Sequence, residues 1–550
     1  MGVPKFFAWL MRNYKNIMFD KDKKEIDWFL IDTNCLIHPI CFEILKQEQI
    51  KENINFNSLE NKMMNAVIDY IDKLINYVNP KEGIYIAIDG PVCYAKIKQQ
   101  RQRRYRSVHD KTFFDKIKKK HNIPINFYWN NSAISPGTKF MDSLHYKLLN
   151  YINNLNRKII YSSSNVPGEG EHKLLDFIKE NNKNNIQYSY MTYGLDADLI
   201  FLMLVTKLDT IYLLREANEI NNKESKDILK IVNMKTLKEC IIESFVKSFE
   251  YKIDLDRNRI TNDFIFLCYL LGNDFLPHIL ALDISKNGIE YIISKYVKTF
   301  QELPIYLLSI DTNTINQNFL SLFLKNLSVD EDSILIEKFN IKYKPKYIGT
   351  NEYEREMFKI DNLLFKINDP IGIGVNSNYR NLYYKHYFDV DDDELEDFVK
   401  NMVKHYLIGI RWVAYYYFDK IVDWEWYYPY DYPPFLSDIY KYLIDLNDIK
   451  FKKTNPITPF ELLLVVLPPQ SNYLLPEKFK KIPTNPKSSL YHLYPNDFEI
   501  DFLYKNKYWE GIPILPSLEI KSVRYIYSKY KDELTDEELK RNRLDNNFYK

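Results

Sequence analysis

The chain has 550 residues, 46% of them apolar and 27% charged, with a formal net charge of +1, a folded composition too long for a single ordinary core. No apolar run approaches the roughly 18 residues needed to cross a bilayer, charge and aromatics interrupt the amino terminus too early for a signal peptide, and the five cysteines form no Cys-x-x-Cys pair. A membrane span, a disulfide framework and a zinc knuckle are therefore not expected, and a reducing compartment fits best.

In chain order, apolar runs ending in an acid recur through the first third: WFLIDTN (28–34), IYIAIDG (84–90) and YSYMTYGLDADLI (188–200), with TIYLLRE (210–216) as a fourth strand-like run. Helical stretches at 59–78 and 139–156 separate them. The alternation predicts an α/β lobe built on a parallel sheet. In such sheets ligands gather beyond the carboxyl ends of the strands, where Asp32, Asp89, Asp196 and Asp198 fall. Residues 301–400 read as mixed helix and loop without a dominant pattern, the expected variable region. Order returns near 400 with YLIGIRWVAYYYF (406–418), WEWYYPYDYPPF (424–435) and PITPFELLLVVLPPQSNYLLP (456–476). Residues 531–550 are highly charged and are expected to form a solvated helix or tail.

Only 14 residues are glycine, yet Gly90, Gly168, Gly170, Gly194 and Gly272 each lie within two positions of one of seven acids. These are Asp32, Asp89, Glu169, Glu171, Asp196, Asp198 and Asp274. Buried together, such carboxylates repel unless cations neutralise them. Mg²⁺ takes oxygen ligands and binds through a few carboxylates plus substrate phosphate, and two such ions about 4 Å apart suit in-line phosphoryl displacement. Gly168 and Gly170 in NVPGEGEHKLLDF would allow the turn that aims Glu169 and Glu171 at metal. Taken singly, each glutamate reads equally well as an N-terminal helix acid favoured by the macrodipole, and each aspartate as a cap.

Charge is unevenly placed: residues 96–120 hold 11 Lys/Arg against two Asp, and 389–397 hold seven acids, so a polyanion would be steered locally. On a helix through AKIKQQRQRRYRS (95–107), Lys96, Gln100, Arg103 and Arg104 fall within an arc of about 100°. Arginine grips phosphate bidentately, so this face suits a terminal phosphate; the plain alternative is a solvated basic face. His38 and the WEWYYPY aromatics could stack bases, although core packing is the better reading for Trp424 and Trp426 from the residues alone.

The ordered motifs MGVPKFFAWL, AIDG with AKIKQQRQRRYRS, SPGTKFM, VPGEGEHK, YGLDADLI, FLCYLLGNDFLPH, WYYPYDYPPF and PFELLLVVLP together resemble the eukaryotic 5′-to-3′ exoribonucleases, the XRN family. The resemblance implies a nuclease lobe of the flap-endonuclease or PIN-like type over 1–300, a variable linker over 301–400, a mostly helical second conserved region bracing it over 401–530, and a charged tail over 531–550. It implies processive, two-metal hydrolysis of single-stranded RNA bearing a 5′ monophosphate, in RNA decay, with two Mg²⁺ ions or Mn²⁺ as substitute.

By motif position the family's metal-site acids fall on the seven acids above, its 5′-phosphate pocket on Lys96, Gln100, Arg103 and Arg104, and its base-stacking pair on His38 and Trp426. A monomer working with decapping or RNA-decay factors, away from membranes and inside the cell in cytoplasm or nucleus, is the matching expectation. The chain departs from the family at Cys35, where DTNCLIH replaces DMNGIIH, at Tyr94, where DGPVCYAK replaces DGVAPRAK, and at Asp431, which replaces a histidine. It ends soon after the second conserved region, as expected of a minimal form, either virus-encoded or from an AT-rich eukaryote. A flap-type DNA nuclease and a catalytically inactive RNA-binding scaffold are the rival readings.

Overall fold

The computed structural model describes residues 6–19, 25–48, 55–125, 127–217, 228–340, 345–347 and 349–550; the first five residues of MGVPKFFAWL lie outside this set. Among the described residues the strands are β1 (Met18–Phe19), β2 (Trp28–Asp32), β3 (Gly83–Ala87), β4 (Ile159–Ser162), β5 (Tyr190–Tyr193), β6 (Ile211–Glu216), β7 (Leu229–Asn233), β8 (Ile500–Asp501), β9 (Ile512–Pro513) and β10 (Phe548–Tyr549). Strands β8 and β9 pair as a separate ribbon, and the other eight form one sheet in the order β1-β7-β6-β5-β2-β3-β4-β10. The five central strands, β6 to β4, run parallel. The edges are antiparallel.

Both faces of this sheet are covered, which explains why its strands read as unbroken apolar runs. Side chains alternate across a strand, and Trp28 and Leu30 of β2 join one core while Phe29 and Ile31 join another. Helices Asn34–Glu48, Phe56–Val78 and Lys139–Asn154 cover the second face. The first core is larger: it runs from Phe6 through Tyr269 and Tyr416 to Leu503, so the first 300 residues and the region beyond 400 share one interior. A third core packs Val92, Tyr94 and Ile97 at the head of helix Tyr94–Lys120 against helices Pro459–Val466 and Ile520–Tyr530.

The segment 301–400 contributes helices Gln317–Ser328, Glu331–Asn340, Glu352–Asp361 and Tyr379–Phe388. Three of them place Phe319, Leu335 and Tyr383 in the main core, whereas Glu352–Asp361 buries no residue. Among the described residues no helix is long and apolar enough to cross a membrane.

The last twenty residues are mostly exposed and include a short helix, as the expected solvated helix or tail would, but they are also tied to the fold. Helix Asp536–Asn542 is capped by Thr535, Arg541 is buried and donates to the carbonyl of Gly137 at 2.6 Å, and β10 pairs antiparallel with β4, Phe548 opposite Tyr161. The physical reason is that β4 would otherwise present an unpaired row of backbone donors and acceptors. A highly charged segment can supply that row through its backbone, with Phe548 and Tyr549 themselves exposed.

Candidate active site

The strand order reverses between β2 and β5: β2, β3 and β4 step one way, then β5 and β6 return to the other side of β2. Such a switch point opens a crevice at the carboxyl ends of the strands. Asp32 is the last residue of β2, Asp89 follows β3, and Asp196 and Asp198 open helix Ala197–Val205 just after β5. Glu169 and Glu171 open helix Gly170–Lys183. Asp274 arrives from the loop after Tyr269–Leu271.

Glu169 and Asp196 hold N-cap positions, yet neither side chain caps its own helix. That argues against the capping role open to Asp196 from sequence, while Glu169 does stand at a helix start, where the macrodipole favours an acid. Glu169 instead forms an ion pair with Lys96 and accepts the Tyr416 hydroxyl at 2.6 Å. Asp89 does cap, but a neighbour: it accepts the Gly170 backbone N–H at 2.6 Å and the Asn34 amide at 2.8 Å. The two glycines have separate reasons. Gly168 takes a positive φ of 105°, and a Cβ on Gly170 would stand 2.6 Å from Asp32 Oδ1.

The carboxylates press on one another. Burial pushes the Asp32 carboxyl well up, reinforced by Asp89 and Asp196; burial and Glu169 bring Asp89 to about 6. Glu171 is driven well up by burial, Asp198 and Glu169, and Asp198 to about 7 by burial and Asp274. Every one of the seven acids therefore lies within the field of another. Asp274 is opposite in sign to Asp32, Asp89, Glu171 and Asp198: burial raises it, but Lys96 at 2.6 Å overcomes that and holds it below the usual carboxylate range.

Asp32 Oδ1, Glu171 Oε2 and Asp198 Oδ1 are buried with no hydrogen-bond partner among the described residues. Orphaned anionic oxygens are costly, and hard divalent cations suit such a donor set. The residues present thus fit the metal that the fold implies. Among the described residues, one group of ligand atoms already lies within 4.8 Å of one another, that of Asp32, Cys35 and Asp196.

The basic face divides. Lys96 turns into the acids rather than toward a phosphate, and Gln99, not singled out from sequence, donates to Asp274 Oδ1 at 2.5 Å. One turn on, Arg104 donates to the Ser135 hydroxyl at 2.7 Å and to Gln100 Oε1 at 3.4 Å, while Arg103 is exposed. His38 is half-buried beside them, its pKa lowered to about 4 by burial, then by Arg104 and Arg103.

Trp426 is half-buried and stacks on Trp412 at 4.9 Å between ring centroids, so one of its faces is already covered. Trp412 stacks in turn on Tyr416. Sequence reasoning missed Tyr416, Gln99, Ser135 and Asn34. Ser135 lies within SPGTKFM, which signalled importance without a role; Tyr416 lay in an aromatic stretch indistinguishable from core.

Residues 1–217 match the family described as XRN 5′-3′ exonuclease N-terminus, and residues 252–366 and 349–549 match the Xrn1 helical domain. The chain is 29% identical to 5′-3′ exoribonuclease 2 of Arabidopsis thaliana, over 98% of this chain and 68% of that one. It is 29% identical to 5′-3′ exoribonuclease 1 of Homo sapiens over 98% of this chain but 35% of the human protein, and 26% identical to the 5′-3′ exoribonuclease 2 homolog of Drosophila melanogaster over 100% and 73%. Matched along nearly its whole length by both family regions, this chain belongs to the XRN 5′-3′ exonuclease family.

Proposed function

We propose that the protein is a 5′-to-3′ exoribonuclease that degrades single-stranded RNA bearing a 5′ monophosphate, with the seven acids as its cation-binding set. The observation that carries this reading is the convergence of those acids at the switch point around Lys96, on the same helix face that carries Gln100 and Arg104 about one and two turns further on. Divalent cations of the Mg²⁺ class, held by Asp32, Asp89, Glu169, Glu171, Asp196, Asp198 and Asp274, would neutralise the carboxylates and assist in-line displacement at phosphorus.

The chain's own groups set polarity and end selection. Arg104, held in place by Ser135, and Gln100 grip the terminal phosphate, and exposed Arg103 adds a second guanidinium. With its pKa near 4, His38 is neutral at physiological pH, which suits base stacking and hydrogen bonding rather than charge pairing. Lys96 compensates Glu169 and Asp274 from the floor of the site. A cap or triphosphate adds bulk and charge beyond the single terminal phosphate that these groups address, which would confine the enzyme to processed ends and to a role in RNA decay.

The test is a comparison of end-labelled RNAs. Monophosphorylated RNA should yield mononucleotides, Asp196→Ala should abolish release, and Arg104→Ala should lower kcat/KM by roughly 10- to 100-fold, the worth of a charge-assisted hydrogen bond of about 1.5–3 kcal/mol. Equal rates on triphosphate and hydroxyl ends would overturn the pocket assignment, and cleavage of flap DNA in preference to RNA would overturn the substrate.

A further inference from the structure

Cys35 lies three residues after Asp32, in the first turn of helix Asn34–Glu48, on the β2 side of the crevice. Asp196 faces it from the β5 side. Ligand atoms of Asp32, Cys35 and Asp196 come within 4.8 Å of one another, a grouping that spans the switch point. The Cys35 thiol donates to Asp32 Oδ2 at 2.9 Å. The Leu195 backbone N–H donates to Cys35 Sγ at 3.3 Å, the kind of outer contact that orients a metal ligand and stabilises its charge.

Asp32 is 4% exposed, and its Oδ1 has no hydrogen-bond partner among the described residues. Asp196 is exposed, so a cation can enter from solvent. The other four cysteines, Cys41, Cys93, Cys240 and Cys268, are buried, and none of them belongs to this group.

Sulfur changes which cation such a site prefers. Mg²⁺ demands oxygen ligands in near-ideal octahedral geometry, and thiolate is a poor partner for it. Zn²⁺ and Co²⁺ accept mixed sulfur and oxygen donors. With metal–sulfur and metal–oxygen bonds of about 2.3 and 2.1 Å, tetrahedral coordination sets the sulfur and oxygen roughly 3.5 Å apart, a separation that falls inside the 4.8 Å span of the three ligand atoms.

We propose that Asp32, Cys35 and Asp196 form a mixed oxygen and sulfur site that binds a borderline-soft divalent cation of the Zn²⁺ and Co²⁺ class, with Cys35 Sγ as a direct ligand. Binding displaces the thiol proton to solvent and breaks the bond to Asp32 Oδ2, freeing both oxygens of that carboxylate. The site gives this chain a cation preference that an all-oxygen acid cluster would lack, and lets such cations compete with Mg²⁺. It rests on the reading of the acids as a cation site.

The full chain is titrated with Co²⁺ while the sulfur-to-cobalt charge-transfer band is followed in the near ultraviolet, and Mn²⁺ binding is measured separately by calorimetry. The wild type should develop the band. Cys35→Ser should lose it and bind Co²⁺ more weakly by at least the roughly 10- to 100-fold that loss of an outer contact to a metal ligand costs, while still binding Mn²⁺. Retained Mn²⁺ binding shows that the variant is folded.

A band that survives in Cys35→Ser overturns the proposal, because another thiol supplies it. Absence of the band in a wild type that binds Mn²⁺ also overturns it and leaves the acid site intact. Failure to bind either cation overturns the cation reading itself.

Discussion

The hydroxyl of Tyr416 donates to Glu169 Oε1 at 2.6 Å across 247 residues of chain, so the helix Leu395–Phe418 of the second region reaches into the acid cluster of the first. Tyr416 is fully buried between His172 and Trp412. It has little freedom to make any other contact.

Replacing it with phenylalanine keeps the packing and removes one hydrogen bond to a charged group, worth about 1.5–3 kcal/mol. Tyr416→Phe should therefore lower thermal stability by an amount in that range while kcat falls more than KM rises, because Glu169 loses its orientation. Single-turnover kinetics beside a melting curve check this; an unchanged kcat would show that Glu169 needs no such positioning.

Lys96 makes the other contact to Glu169 and pairs with Asp274 as well. Removing one partner of a buried pair costs about 3–5 kcal/mol because the remaining charge is uncompensated, and here two carboxylates are left. Lys96→Met should be strongly destabilised in chelator and should recover much of that loss in Mn²⁺, since cations can do the neutralising. Denaturant titrations in both conditions would reveal this, and a loss that cations do not reduce would mean that Lys96 acts away from the cation set.

The contrast between these residues and the acids explains what was legible in the sequence. Strands β2, β3, β5 and β6 announced themselves because burial on both faces makes unbroken apolar runs, and Asp32, Asp89, Asp196 and Asp198 were visible as the acids that end or follow them. Strand β4 is as short as β5 but was missed because it runs into Ser162, Ser163 and Ser164 rather than into an acid. Strand β10 was missed because pairing with β4 uses backbone groups rather than side-chain pattern. Lys96 lies in the same 100° arc as Arg104 on the helix, and only the fold reveals that one turns to carboxylates and the other to Ser135. Tyr416 acts over 247 residues, a separation that no local pattern encodes.

Cation stabilisation should depend on pH with a definite sign. Burial and neighbouring acids raise Asp198 to about 7 and Asp89 to about 6, from an ordinary 3.8. A carboxyl raised on folding contributes stability that is complete below its unfolded pKa and is lost as pH rises through its folded value. In chelator, these carboxyls should therefore lower stability as pH rises from about 4 to 7, against the opposite slope of His38, whose pKa burial depresses to about 4.

Bound cations favour the ionised carboxylates, so the Mn²⁺-induced stabilisation, read as a rise in Tm, should be small near pH 5 and large near pH 8, where saturating cation contributes on the order of a few kcal/mol. Asp263, which burial also brings to about 7, bonds to Tyr296 and to the backbone of Leu307 and Leu308. It shifts both curves alike and cancels in the difference. A Mn²⁺ effect independent of pH would contradict the assignment of these carboxylates to the cation set.

Gly170 separates packing from conformation at the Glu-x-Glu turn. A Cβ there would stand 2.6 Å from Asp32 Oδ1 and 3.2 Å from the Ala87 carbonyl, and Gly170 begins the helix whose first turn holds Glu171. Gly170→Ala must displace either the helix start or Asp32, at a cost of about 1–3 kcal/mol for overpacking, and either shift moves a carboxylate of the site.

Gly168 is the control. Its surroundings are open, the nearest atoms being Lys173 side-chain carbons at 3.9 Å, but its φ is +105°. Gly168→Ala should thus lose stability through backbone strain without a side chain intruding on Asp32. Melting temperature and cation affinity measured on both variants should therefore diverge, Gly170→Ala losing cation binding out of proportion to its stability and Gly168→Ala losing the two together.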